Sequence, residues 1–161
     1  MDSRFLIQIS EAWPIPGSDA GVASKFGLAA ELSETEQNDL RGPVCIVDDD
    51  VWVCDSLSVM LETHGFAVLT FVSGEEFLKD ERRRDAKCLI VDQHMPGLDG
   101  LSFIAELQRD GGSPPAILIT GRLDAAIAER AAASGVLAIL EKPFAVGRLV
   151  ELVGGAVAGR D

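Results

Sequence analysis

The chain has 161 residues, 47% of them hydrophobic, and carries 26 acidic against 14 basic side chains, for a formal charge of −12 and an isoelectric point near 4.5. That length allows one domain with a real core, the apolar runs stop short of the roughly 20 residues a spanning helix needs, and so acidic a balance argues against wrapping a nucleic-acid backbone. The acidity fits solubility, a protein partner, or carboxylates gathered for a cation.

Met1 to Ser10 includes Phe5-Leu6-Ile7 but neither a charged leader nor a sustained apolar stretch, so no secretory signal is read and a cytoplasmic location is expected. Cys45, Cys54 and Cys88 are odd in number and share no ligand spacing; they read as reduced, mostly buried thiols. Residues 1–42 hold Pro14, Pro16, Gly17, Gly21 and Gly27 and then an acidic patch from Glu31 to Asp39, with no lasting period. They are expected to be a poorly ordered extension with a short helix between Ala29 and Leu40 at most, ending at Gly42-Pro43.

From Val44 the pattern alternates between strand and helix. Val44 to Val47 reads as a buried strand, and Val53, Leu57, Met60, Leu61 and His64 then share one helical face that Gly65 terminates. Phe66 to Phe71 is the second strand, and Ser73-Gly74-Glu75-Glu76 is a capping box opening a brief helix. The charged run from Asp80 to Asp85 reads as a solvated turn. Cys88 to Val91 is an unbroken apolar run, as a strand covered on both faces requires, and it stops abruptly on Asp92. A helix through Leu101, Ile104, Ala105 and Leu107 follows, stopped by Gly111-Gly112 and Pro114-Pro115. Ala116 to Ile119 forms the fourth strand, ending on Thr120. Leu123 to Ser134 is a helix closed by Gly135, Val136 to Leu140 is the fifth strand, and Val146, Leu149, Val150, Val153 and Val157 mark a last helix that runs into Gly154-Gly155. Short connections and right-handed crossovers assemble five such units into an α/β fold, a five-stranded parallel sheet with helices on both faces.

On that frame the first strand ends in Asp48-Asp49-Asp50, the third in Asp92, the fourth in Thr120, and the fifth runs into Glu141-Lys142-Pro143-Phe144. All fall at the carboxyl edge of the sheet, where open α/β sheets bind ligands. Taken singly they have plain structural readings: helix-capping acids, a strand-end hydroxyl, an exposed lysine. Carboxylates about 4 Å apart, however, repel by roughly 4 kcal/mol at protein-like dielectric, so the cluster requires a shared cation or a bound proton. Magnesium, which takes hard oxygen ligands and keeps several waters, suits the set.

With these motifs in place, residues 43–161 resemble a receiver domain of the two-component response regulators. The carrying segments are Ile46-Val47-Asp48-Asp49-Asp50, Ile90-Val91-Asp92-Gln93-His94-Met95-Pro96-Gly97 with Gly100, Ile119-Thr120-Gly121, and Glu141-Lys142-Pro143-Phe144. Their spacings, 43 residues from Asp49 to Asp92, 28 on to Thr120 and 22 on to Lys142, are similar to those of the nitrogen-fixation-regulator branch. The resemblance implies a flavodoxin-like, doubly wound sheet in strand order 2-1-3-4-5 and a phosphorelay phosphoprotein. In it Asp92 accepts a phosphoryl group from a histidine kinase or a histidine phosphotransfer protein. It further implies magnesium held by Asp49 and Asp92, by Asp48 through water and by the backbone carbonyl of His94. Thr120 and Lys142 would contact the phosphoryl oxygens, His94 and Arg122 would tune the lifetime of the acyl phosphate, and Lys142-Pro143 would be a cis peptide.

One departure concerns Ile139, where the family usually has the aromatic ring that reports phosphorylation. No output segment is read after the last helix. The expectation is therefore a stand-alone receiver, not an enzyme with turnover, that signals by protein contact through its last two helices and the strand between them. A phosphorylation-linked dimer is allowed; no direct contact with nucleic acid or membrane is expected. Two rivals remain. One is a receiver-like binding module indifferent to phosphorylation. The other is a haloacid-dehalogenase-type phosphatase, with Asp48 as nucleophile and Asp50 as acid in a D-x-D pair, a reading that lacks acidic metal ligands after Lys142.

Overall fold

The structure, a computed structural model, describes residues 42–159. The extension expected over 1–42, with its helix between Ala29 and Leu40, otherwise lies outside the described residues. Five parallel strands, β1 (Val44–Val47), β2 (Val68–Phe71), β3 (Cys88–Asp92), β4 (Ala116–Thr120) and β5 (Ala138–Glu141), form one sheet in the order β2-β1-β3-β4-β5. The helices between and after them are α1 (Val51–Thr63), α2 (Gly74–Lys79), α3 (Gly100–Arg109), α4 (Ala125–Ser134) and α5 (Val146–Ala158). None of the described helices is long and apolar enough to cross a membrane.

Because successive strand side chains point to opposite faces, the three inner strands feed two separate cores. Ile46, Ile90, Ile117 and Ile119 pack with Leu57 and Leu61 of α1 and Leu149 and Val153 of α5. On the other face Val47, Leu89, Val91 and Leu118 pack with Phe77 of α2, Phe103 and Ile104 of α3, and Ile127 of α4. There Phe77 stands edge-on to both Phe71 and Phe103, with ring centroids 5.2 and 5.5 Å apart. Gly74 is required beneath this stack, since a Cβ on it would lie 2.7 Å from the Phe103 ring. All three cysteines are buried, and desolvation pushes each thiol up to about 12, as inert core thiols require.

The element boundaries follow from local chemistry. Asp50, Ser73, Asp99 and Asp124 each accept a backbone N–H from the first turn of the helix they precede. Hence α4 starts at Ala125 rather than Leu123. The second strand begins at Val68 and not Phe66, because Phe66 turns back to donate its N–H to the Leu61 carbonyl and buries its ring against α1. The fifth strand starts at Ala138, two residues later than its apolar run suggests, and ends at Glu141, since Leu137 is half exposed. The run from Asp80 to Asp85 is not a plain turn: Glu81–Asp85 form a 3₁₀ helix, capped by Asp80, which also pairs with Arg82 at 2.6 Å. Finally, α5 continues through Gly154-Gly155 to Ala158. Burial of Leu149, Val153, Ala156 and Val157 on one stripe outweighs the cost of two helical glycines, about 1 kcal/mol each.

Candidate functional site

The register pairs Val47 with Val91, so the residues just beyond, Asp48 and Asp92, are next in step at the carboxyl edge of adjacent strands. Asp92 is also level with Ile119, which places Thr120 one residue further along β4. Thus β1, β3 and β4 deliver two carboxylates and a hydroxyl to one place. The three consecutive acids after β1 then separate into three environments. Asp48 is 4% exposed, stays in line with the sheet by donating its N–H to Phe71 O, and accepts the Asp50 N–H on Oδ1 at 2.9 Å. Asp49 is exposed. Asp50 is the cap of α1, accepting from Trp52 N at 2.9 Å and Val53 N at 3.4 Å.

Asp92, 8% exposed, does not cap α3; Asp99 does. Lys142 reaches it from the end of β5, with Nζ 3.8 Å from Asp92 Oδ1. The Lys142 N–H donates to Thr120 O at 2.8 Å, and the peptide to Pro143 is cis. One oxygen each from Asp48, Asp49 and Asp92 fall within 4.8 Å of one another. Burial pushes Asp48 up to about 7, and the charges of Asp92 and Asp49 add to it against the Asp50 hydrogen bond and Lys142. Burial likewise pushes Asp92 up to about 6, with Lys142 opposing and Asp49 adding to it. Two buried carboxyls that hold protons well above their ordinary range are short of positive charge. An all-oxygen set of this kind fits a small hard dication, which would supply the missing charge.

Thr120 is fully buried at the end of β4. Its Oγ1 lies 2.9 Å from Arg122 O, 3.1 Å from Arg122 N and 3.0 Å from the Nε2 of His94, a residue exposed on the loop after β3. What Arg122 brings to Thr120 is its backbone. Ile139 sits half-buried on β5, opposite Leu118, and packs against the core beneath α4.

Other residues support the site through contacts that the motifs do not state. Gln93 is buried beside Asp92; its N–H donates to Ile119 O and its Oε1 accepts the N–H of Leu101 at the start of α3. Gly100 lets that helix approach, since a Cβ there would come within 2.6 Å of Asp92 O. Asp99 caps α3 and takes a two-pronged ion pair from Arg130 of α4 at 3.1 Å. An acid before Gly100 and an apolar helical run is a readable cap signal; nothing in the sequence foretells the partner 31 residues away.

A model of the response regulator receiver domain matches residues 44–154. Curated relatives include the transcriptional regulatory protein FixJ of Bradyrhizobium diazoefficiens, 32% identical over 117 residues that cover 73% of this chain and 57% of the relative. FixJ of Azorhizobium caulinodans is 38% identical over 102 residues, covering 63% and 48%. The chain thus spans about half the length of the curated relatives it matches, and these agree with the nitrogen-fixation-regulator spacing. Among solved structures, the receiver domain of Francisella response regulator 1452 superposes with a TM-score of 0.69 at 22% identity, over 75% of this chain and all of that one. A receiver domain protein from Clostridium thermocellum gives 0.68 at 26% identity, over 74% and 96%.

Proposed function

Because the chain belongs to the response regulator receiver domain family, we propose that Asp92 accepts a phosphoryl group from the phosphohistidine of a histidine kinase or histidine phosphotransfer protein. One observation carries this reading: a buried carboxylate at the end of β3, flanked by Asp48 and Asp49 and faced by the Lys142 ammonium at 3.8 Å. The dehalogenase-type assignment, in which Asp50 would be the acid, is disfavoured because that carboxylate is committed to the first turn of α1.

In the transfer a carboxylate oxygen of Asp92 forms a bond to phosphorus as the phosphorus–nitrogen bond of the donor breaks, and the imidazole keeps that electron pair. The transition state is loose and spreads negative charge over three equatorial oxygens, so placement and positive charge do most of the catalysis. Lys142 is held for this by the backbone bond to Thr120 O. Thr120 offers a hydroxyl. Asp48, Asp49, Asp92 and the His94 carbonyl are the groups proposed to hold magnesium, which would supply positive charge to the phosphoryl oxygens and keep Asp48 and Asp92 ionised. His94 and Arg122, on the two loops beside the site, are proposed to govern loss of the acyl phosphate. The readout is proposed to be a protein contact through α4, β5 and α5, in keeping with the charge of −12.

Incubation with acetyl phosphate and magnesium tests the reading. Intact-mass analysis should find one added phosphoryl group in the wild type and none in Asp92→Ala. Equal labelling of the variant, or an adduct mapped to Asp48, would overturn the assignment.

A further inference from the structure

The hydroxyl of Thr120 is already fully engaged. A threonine hydroxyl has one hydrogen to give and two lone pairs to receive. Here Arg122 N donates to it at 3.1 Å, while Arg122 O at 2.9 Å and His94 Nε2 at 3.0 Å complete its surroundings. If the hydroxyl hydrogen points to Arg122 O, both lone pairs are taken, by Arg122 N–H and by a protonated Nε2. If Nε2 is bare, it takes the hydrogen itself. Under either tautomer no hydrogen is free for a new acceptor at Asp92. His94 is the one side chain among these contacts, and it reaches Thr120 from a loop 26 residues away in sequence.

We propose that His94 is a positioning residue: its imidazole holds the Thr120 hydroxyl in the resting arrangement, and recruitment of Thr120 by a phosphoryl group on Asp92 competes with that contact. This rests on the reading of Asp92 as acceptor. It differs from an effect on acyl-phosphate lifetime, because the contact exists in the unphosphorylated protein and concerns the equilibrium between two forms. A bond made in only one of two states shifts their ratio by its whole net worth. For a single partly buried hydrogen bond that is about two- to ten-fold.

The test is titration of the full chain with magnesium and beryllofluoride, a phosphoryl mimic, followed by the amide resonances of Thr120 and Gly121. His94→Ala should bind about two- to ten-fold more tightly than wild type. His94→Gln, whose side-chain amide can remake the bond, should return close to wild type. On a Thr120→Val background, removal of the imidazole should leave affinity unchanged, since the shared bond is already gone. Equal or weaker binding by His94→Ala, or a His94 effect that persists undiminished in the Thr120→Val background, overturns the proposal while leaving the receiver reading intact. Failure of the wild type itself to bind the mimic, or binding retained by Asp92→Ala, overturns the receiver reading and this inference with it.

Discussion

Along β3, Cys88 to Val91 are apolar and sealed from solvent, whereas the next residue of the same strand is a buried carboxylate. The strand bodies gather free energy by burying hydrocarbon on both faces. Their carboxyl ends lose some of it by desolvating Asp48 and Asp92 beside each other, with the Lys142 ammonium 3.8 Å from Asp92 to offset the charge. The difference teaches that the edge is not a continuation of the core with polar decoration. It is a region kept short of positive charge, and the two cores below supply the stability that allows this.

The comparison is sharpened most by removing part of a core. Phe103 is fully buried and stacked edge-on against Phe77. Phe103→Ala should cost ~3–5 kcal/mol, measured as a fall in the urea midpoint at unchanged slope. The carboxyl end should respond in the opposite direction. Asp48→Asn keeps an acceptor for the Asp50 N–H but removes the charge, so in metal-free buffer at pH 8 it should stabilise by ~0.5–2 kcal/mol.

The sign of its pH dependence follows from linkage. Asp48 and Asp92 hold protons in the folded protein up to about 7 and about 6, while in the unfolded chain they release them near 4. Between those values the native state binds more protons, so metal-free stability falls as pH rises from about 4 to 7 and levels off above. The advantage of Asp48→Asn should therefore shrink steadily as pH falls from 7 and vanish only below about pH 4. Millimolar magnesium should raise the melting temperature of the wild type at pH 8 and do so less at pH 5.5, where protons compete for the same oxygens. If Asp48→Asn destabilises at pH 8 by as much as at pH 5, the edge is not strained by charge and the contrast fails.

The smallest effect concerns transmission away from the edge. A β-branched residue on a strand has few χ1 choices, and Ile139 is short and packed against the core beneath α4. Beryllofluoride should change self-association or partner affinity of the wild type by no more than about five-fold, and Ile139→Phe should enlarge the change. Sedimentation with and without the mimic measures both. A large shift in the wild type that the substitution leaves untouched assigns the coupling to another route.

Legibility of the sequence divides along the same line. The inner strands announce themselves through Val44 to Val47, Cys88 to Val91 and Ala116 to Ile119, because a strand covered on both faces has no polar option. Their ends are visible for the converse reason, an abrupt carboxylate or hydroxyl after an apolar run. The outer strands β2 and β5 are less clear, since edge burial is partial and Phe66 and Leu137 look like strand residues without being so. Three adjacent acids cannot be told apart by type; only the geometry makes Asp48 buried, Asp49 exposed and Asp50 a cap. Contacts such as His94 with Thr120 and Arg130 with Asp99 join elements far apart in sequence and have no local signature.

The buried thiols also have a practical meaning. Cys45 and Cys88 lie on neighbouring strands at the centre of the sheet, and Cys54 on α1 donates to Asp48 O directly behind the carboxylate pair. None is reachable by a maleimide while the fold is closed. Alkylation of the native protein thus becomes a clock for transient opening: a slow, shared rate at all three would report whole-domain unfolding, and earlier capture of Cys54 would time the loosening of the carboxyl edge alone.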